Sequence, residues 1–126
     1  MLKIQCITVD CADPIVPAKF WSQALHWQIT ISNNEEVVVE DPSGGADLLF
    51  LRNPDKRVVK NRIHLDLRPE NQDEEVKRLE SLGARRIEIG QSDDPRTTWV
   101  VMEDPEGNLF CVLRSLDPGV KKYELS

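Results

Sequence analysis

The stretch RIHLDLR at residues 62–68 alternates apolar and polar side chains. One parity is aliphatic and consists of Ile63, Leu65 and Leu67. The other parity is polar and consists of His64, Asp66 and Arg68. A period of two predicts a β-strand with one face in the core, so the second face is either solvated or part of a site.

Two segments carry the longer period and the end signals of α-helices. Near residue 72, Asn71 and Glu74 form a candidate capping pair, and Gly83 supplies a stop. Apolar residues recur between these signals at helical spacing: Val76, Leu79 and Leu82. Earlier in the chain, Pro17 suits a first helical turn, and an apolar stripe follows it: Phe20, Trp21, Ala24 and Leu25. The pattern predicts helices near 16–26 and 72–82.

The chain also resembles itself. ITVDCADP (7–14) is similar to IHLDLRPE (63–70), and VVVEDPSGGADLLFLR (37–52) is similar to VVMEDPEGNLFCVLR (100–114), with one residue inserted. DPSGG and DPEGN have the residues of β-turns between strands. We therefore expect an α+β fold of two βαβββ modules, about 1–56 and 57–116, joined by a crossover at 54–60 and followed by a short tail, 117–126.

Composition narrows the class of protein. The 126 residues carry a formal net charge of −6, which disfavours nucleic acid and anionic membranes as partners and favours neutral or cationic small molecules. No apolar run approaches the ~20 residues of a membrane span, and MLKIQCITVD is not patterned as a secretory signal. Three cysteines without metal-finger spacing indicate reduced thiols. We expect a cytoplasmic protein.

Three features together resemble the vicinal oxygen chelate superfamily, which includes glyoxalase I, extradiol dioxygenases and bleomycin-resistance proteins. They are the paired modules, the string FW (20–21) followed by ALHW (24–27), and DPEGNLF (104–110). The likeness covers about 4–114 and is greatest to the glyoxalase-like domain group. It implies a curled, cup-like mixed sheet with helices outside and the reactive site within. It also implies a homodimer.

Active members of the superfamily carry metal ligands on the first and last strand of each module, usually His or Gln first and Glu last. The resemblance places these positions at Cys6, His64 and Cys111, with the remaining one at Leu49 or Leu51. Because the glutamates are missing, we expect Cys6, His64 and Cys111 to lie close together without a metal, and we expect no cofactor. A divalent metal is the alternative, since thiolates and imidazole suit zinc.

The candidate site follows from strand parity and from the resemblance together. We expect three catalytic residues: His64 as acid/base, with Asp66 and Arg62 orienting the substrate. We expect six ligand-binding residues: Cys6, Thr8, Trp27, Lys60, Trp99 and Cys111. Structural interpretations compete with each. His64 could be satisfied by a nearby carboxylate, the tryptophans could be packing, and the basic pair at 60 and 62 could be a solvated strand end.

The sequence leaves several functions open. The first is a metal-independent, glyoxalase-like protein that binds or converts a small molecule of unknown identity. The alternatives are a metal-dependent lyase, isomerase or dioxygenase of the same superfamily and a non-catalytic dimer that sequesters a ligand, as bleomycin-resistance proteins do. A domain that serves only assembly is a further possibility.

Overall fold

The computed structural model describes Met1, residues 3–54 and residues 63–119. These residues form two compact units. The first contains the described residues up to 54 together with 104–107, and the second contains 63–103 and 108–119. Of the predicted crossover at 54–60, only Pro54 lies within the described residues, as does only 117–119 of the predicted tail.

The first unit is a four-stranded sheet with one helix. Its elements are β1 (Cys6–Cys11), α1 (Ile15–Leu25), β2 (Gln28–Ser32), β3 (Glu36–Glu40) and β4 (Asp47–Arg52). The strand order is β1-β4-β3-β2, with β1 parallel to β4 and the other pairs antiparallel. The helix packs on β2, β3 and β4. Val37, Val39 and Phe50 are fully buried, as are Phe20 and Trp21 of the predicted helical stripe.

The second unit repeats this plan. Its elements are β5 (Leu65–Leu67), α2 (Gln72–Ser81), β6 (Arg85–Arg86), a 3₁₀ turn (Gln91–Asp93), β7 (Val100–Glu103) and β8 (Leu109–Val112). The order is β5-β8-β7-β6, with β5 parallel to β8. Each unit is thus a βαβββ module with a mixed sheet, which confirms the predicted α+β class. Neither helix in the described residues is long and apolar enough to cross a membrane.

The ends of the helices follow the sequence signals. Asn71 is the N-cap of α2, and its Oδ1 accepts a hydrogen bond from the Glu74 amide at 3.0 Å. After α1, His26 takes the left-handed conformation with φ 58°, a position at which glycine is more common. Both predicted helices lie within one residue of the observed bounds at either end.

The two β-turns match in atomic detail. Asp41 Oδ1 accepts the Ser43 amide and Asp104 Oδ1 accepts the Glu106 amide, each at 2.9 Å. The fourth residue of each turn donates its amide to the aspartate carbonyl, at 3.0 Å from Gly44 and 2.9 Å from Gly107. Both glycines have positive φ, 81° and 83°, which a side chain would strain. The sequence repeat is therefore a repeat of structure.

Backbone pairing locates the extra residue of the first module. The string EDP begins both turns, at 40–42 and 103–105, and fixes the alignment of the strands before it. The residues before each string pair across the hairpin as Val39 with Leu48 and Met102 with Phe110. The next residues along, Leu49 and Cys111, are therefore counterparts. Of the two alternatives that the sequence left open, the pairing supports Leu49 over Leu51.

The parallel ladders extend this correspondence to the first strand of each unit. Leu49 pairs with Thr8, and Cys111 pairs with Asp66. Cys6 and His64 stand two residues earlier on the same chain segments. Cys6 is therefore the counterpart of His64, as the resemblance implied.

Candidate functional site

Three polar side chains meet on one face of the second unit's sheet. Asp66 on β5 lies beside Cys111 on β8, because these two residues are direct partners in the parallel ladder. His64 precedes Asp66 by two residues, and its Nε2 lies 3.2 Å from Asp66 Oδ1. The ligand atoms of all three side chains lie within 4.8 Å of one another. His64 and Cys111, two members of the predicted cluster, thus lie close together, and the third member, Cys6, lies in the first unit.

The opposite face of the same strands is buried, which determines the face that Asp66 and Cys111 take. Leu65 pairs with Phe110, and Phe110 pairs with Met102. Phe110 and Met102 are 1 % and 0 % exposed, and Leu65 is half-buried. Because side chains alternate across a strand, burying this row turns Asp66 and Cys111 to the other face. The predicted parity holds for Leu65, Asp66 and Leu67, which form β5. It is wrong for Ile63, which was expected on the core face and is 80 % exposed, because the chain before Leu65 is not paired in the sheet.

Arg68, the last polar residue of the alternation, has a structural contact. Its Nη1 donates to the carbonyl oxygen of Arg114 at 2.7 Å, and the residue is half-buried. This hydrogen bond joins the segment after β5 to the segment after β8. It therefore helps to hold β5 beside β8, and with it Asp66 beside Cys111.

The His64–Asp66 contact determines how the imidazole can act. Asp66 presents an acceptor oxygen 3.2 Å from Nε2, which favours the tautomer that carries its hydrogen on Nε2. In that tautomer Nδ1 is the acceptor and can take a proton from a ligand. Both side chains are partly exposed, at 36 % and 52 %, so the pair contributes little to stability. The contact instead orients the ring.

The corresponding face of the first unit has different chemistry. Cys6, Thr8 and Leu49 occupy the positions of His64, Asp66 and Cys111. Cys6 Sγ lies 3.7 Å from Thr8 Oγ1. Leu49 offers no ligand atom at all. The first unit therefore presents a thiol, a hydroxyl and an apolar side chain where the second presents an imidazole, a carboxylate and a thiol.

The remaining predicted site residues are distributed as follows. Arg62 and Lys60 lie outside the described residues. Trp27 is half-buried directly before β2, and its amide donates to the Ser22 carbonyl at 3.0 Å. Trp99 is half-buried directly before β7 and lines a cavity that includes neither His64, Asp66 nor Cys111. The sequence pattern missed this cavity, because the turn-rich segment at 87–99 has no clear periodicity.

The metal set implied by the superfamily is incomplete in this chain. Of its four positions, Leu49 cannot ligate an ion, and the remaining donors are two thiols and one imidazole. Within the part of the chain that the structure describes, one group could hold a metal on its own, and it consists of His64, Asp66 and Cys111. Nitrogen, oxygen and sulfur donors in such a group fit zinc better than magnesium or calcium.

Comparisons with known proteins identify the family. Residues 6–113 match the family model of the glyoxalase-like domain. A search of curated proteins finds no match. Among solved structures, a possible glyoxalase from Bacillus cereus is similar with a TM-score of 0.67 and 15 % identity, over 90 % of this chain and 99 % of that one.

Two further structures have the same fold. A glyoxalase/bleomycin resistance protein/dioxygenase family enzyme from Burkholderia phytofirmans PsJN gives a TM-score of 0.70 at 16 % identity, over 91 % of this chain and all of that one. The fosfomycin resistance protein FosX from Listeria monocytogenes gives 0.69 at 15 % identity, over 92 % and 93 %. With residues 6–113 matched and the paired βαβββ modules observed, the chain belongs to the glyoxalase-like domain family of the vicinal oxygen chelate superfamily.

Proposed function

We propose that this chain binds a small organic molecule through the sheet face that carries His64, Asp66 and Cys111, and that it does so without a metal ion. The contact of His64 Nε2 with Asp66 Oδ1 at 3.2 Å is the observation that carries the proposal. The contact orients a base, His64, whose side chain is accessible to a ligand. The chain also belongs to a family whose enzymes act on small molecules. Leu49 occupies a position at which active members of the superfamily carry a metal ligand, and its side chain has no donor atom, which supports metal independence.

In the proposed isomerisation, His64 Nδ1 accepts a proton from one atom of the bound molecule and returns it to another atom of that molecule. In the corresponding elimination, the bond to the leaving group breaks as its electron pair departs with that group, and the proton is returned to the leaving group. Asp66 Oδ1, 3.2 Å from Nε2, holds the ring in place while it carries the proton between the two transfers. No electron or group has to be supplied from outside. The chemistry is that of an isomerase or lyase, and a ligand without an acidic proton would be bound unchanged.

Several predicted residues enter this proposal as ligand contacts. Cys111 belongs to the same cluster and is the ladder partner of Asp66. Arg62 and Lys60 precede His64 on the same parity of the sequence, and would supply positive charge for an oxygenated substrate. Cys6, Thr8 and Trp27 belong to the first unit and stay predicted ligand contacts. Three free thiols support a reducing, cytoplasmic location.

A thermal-shift screen tests the proposed binding. The protein is freed of metal by a chelator and screened against a panel of small oxygenated, cyclic and cationic metabolites, because a ligand of the native state raises the melting temperature. The ligand that gives the largest shift is then titrated against His64→Gln and Asp66→Asn. Glu70→Gln is a matched control, because Glu70 is exposed and outside the cluster.

The proposal predicts that both site variants keep the wild-type melting temperature without ligand but lose most of the shift with it. Binding that is indifferent to both substitutions would contradict it. Recovery of the ligand chemically unchanged would identify a sequestering protein, whereas an isomer or elimination product would identify an enzyme.

A metal-dependent enzyme is the second candidate, and the cluster of His64, Asp66 and Cys111 favours it. These three residues would hold the ion, which would supply Lewis acidity to a bound carbonyl or hydroxyl. A melting temperature that rises with zinc in the wild type, and not in His64→Gln, would support this candidate over the first.

A further inference from the structure

The second unit contains a recess apart from the His64 face. Its volume is about 620 Å³, within the range of ~300–1,000 Å³ typical of small-molecule sites. It is formed by the segment between β6 and β7, and its principal lining residues are Arg86, Ile87, Glu88, Pro95, Thr97 and Trp99. None of these residues belongs to the His64 cluster.

The lining of the recess includes apolar and aromatic side chains. Trp99 and Ile87 are half-buried, and Pro95 is exposed. A half-buried indole presents part of its ring to whatever occupies the recess. The face of an indole attracts both flat apolar groups and cations.

The charges around the recess are mostly neutralised in pairs. Arg86 lies 3.6 Å from Glu80, and Asp94 lies 3.0 Å from Arg96. Glu88 differs, because among the described residues it has no ion-pair partner within 4.0 Å. Its carboxylate accepts the Gly90 amide at 2.8 Å and the Ser92 amide at 3.3 Å. Hydrogen bonds from Ser92 and Gly90 hold the pKa of Glu88 below its usual range, so the carboxylate stays ionised.

Hydrogen bonds hold the walls in place without a ligand. The Ile87 amide donates to the Val101 carbonyl at 2.9 Å, and Gln91 Nε2 donates to the Ile87 carbonyl at 2.9 Å. On the other side, Gln72 Nε2 on α2 donates to the Thr98 carbonyl, next to Trp99, also at 2.9 Å. A recess whose walls are already fixed pays less ordering entropy on binding.

We propose that this recess binds a small organic cation, an ammonium or quaternary ammonium group on a flat or apolar body, with Trp99 against the body and Glu88 nearest the charge. Trp99 and Glu88, the one carboxylate of the lining that has no ion pair within the described residues, fit this chemistry. Arg86, the cation of the lining, is already paired with Glu80. The net charge of −6 acts in the same direction by attracting cations. The proposal does not depend on the chemistry at His64.

Titration with benzyltrimethylammonium tests the proposal, with benzyl alcohol as the neutral probe and benzoate as the anionic probe. Binding is followed by NMR through the indole N–H signal of Trp99, assigned by its loss in Trp99→Phe. We expect benzyltrimethylammonium to shift this signal and to bind about fivefold or more tightly than benzyl alcohol, as a cation–π contact and one attractive charge imply. Benzoate should not bind, and added salt should lower the affinity for benzyltrimethylammonium because it screens the attraction between charges.

Glu88→Gln should lower the affinity for benzyltrimethylammonium several-fold and leave the affinity for benzyl alcohol unchanged, since the substitution removes only the charge. Asp93→Asn is the matched control, because Asp93 is exposed in the same segment and does not line the recess. Melting temperatures verify that all variants fold. Equal binding of benzoate and the cation, or affinity for the cation that is the same in Glu88→Gln and in wild type, would overturn the proposal.

Discussion

The thiol of Cys11 is chemically distinct from the two thiols of the candidate site. Cys11 is only 5 % exposed, and its Sγ donates to the Leu51 carbonyl at 3.6 Å. Burial, followed by the negative charges of Glu106, Asp10 and Asp13, raises the pKa of Cys11 to about 11. Cys6 and Cys111, by contrast, are half-buried.

We predict that iodoacetamide at mildly alkaline pH modifies Cys6 and Cys111 in the folded protein and leaves Cys11 intact. The thiolate is the reacting form, and Cys11 lacks both ionisation and access. Peptide mass spectrometry after a timed reaction measures this, and denatured protein is the control in which all three react. If Cys11 in the folded protein were labelled as fast as Cys111, Cys11 would not be buried as described.

At the scale of elements, the N-cap of α2 is the sharpest link between sequence and stability. Asn71→Ala should lower the free energy of unfolding by about 1 kcal/mol, because the Glu74 amide loses its acceptor. Urea denaturation measures the change. Lys77→Ala, an exposed change in the middle of the same helix, should be close to neutral. Equal effects of the two substitutions would mean that the cap contributes nothing.

A buried hydrogen bond ties the second turn to α1. Trp21 Nε1 donates to Asp104 Oδ2 at 3.0 Å, and the two residues are each 3 % exposed. The turn residue Glu106 accepts the Asp13 amide at 3.3 Å. The turn at 104–107 is therefore part of the first unit, although it lies between two strands of the second.

We predict that Asp104→Ala lowers the free energy of unfolding by about 1–3 kcal/mol, since it leaves a buried indole N–H without this acceptor. Asp117→Ala, which changes an exposed aspartate, is the control and should have no measurable effect. Thermal and urea unfolding measure both. If Asp104→Ala left the free energy of unfolding unchanged, the hydrogen bond would not be formed in solution.

Local chemistry explains which elements the sequence could predict. Both helices have apolar stripes and end signals within a few residues, and both are placed to within one residue. The strand around His64 was predicted over seven residues, 62–68, yet of its described residues, 63–68, only Leu65–Leu67 is paired. Pairing requires a partner strand, and β8 is itself only four residues long. The segment at 87–99 has no period at all, so neither its 3₁₀ turn nor the Trp99 recess could be read from it.

At the scale of the whole chain, the repeat carried most of the correct prediction. It predicted the two βαβββ modules. It did not identify the counterpart of His64, because aligning ITVD with IHLD matches His64 with Thr8, whereas the resemblance implied Cys6 and the strand register supports Cys6. It could not decide between Leu49 and Leu51, because a one-residue insertion is resolved only by strand register. It also could not show that Asp66 lies beside Cys111, since that contact joins strands 45 residues apart in the chain.

Homodimer formation stays a prediction of the account. In the described residues, β1 and β2 are the edge strands of one sheet and β5 and β6 those of the other. Edge strands with unpaired backbone groups favour pairing with a second copy. Light scattering at micromolar concentration should give about twice the chain mass of 14.4 kDa. A monomer mass throughout the micromolar range would contradict this.

Metal content tests the central claim most directly, because metal independence follows from Leu49 and the thiols that replace the superfamily's ligands. The measurement is elemental analysis of wild-type protein purified without an affinity tag, alongside His64→Ala. The account predicts substoichiometric zinc, nickel and iron in both proteins. About one ion per chain in the wild type, lost in His64→Ala, would contradict it and give the metal-dependent enzyme the stronger case.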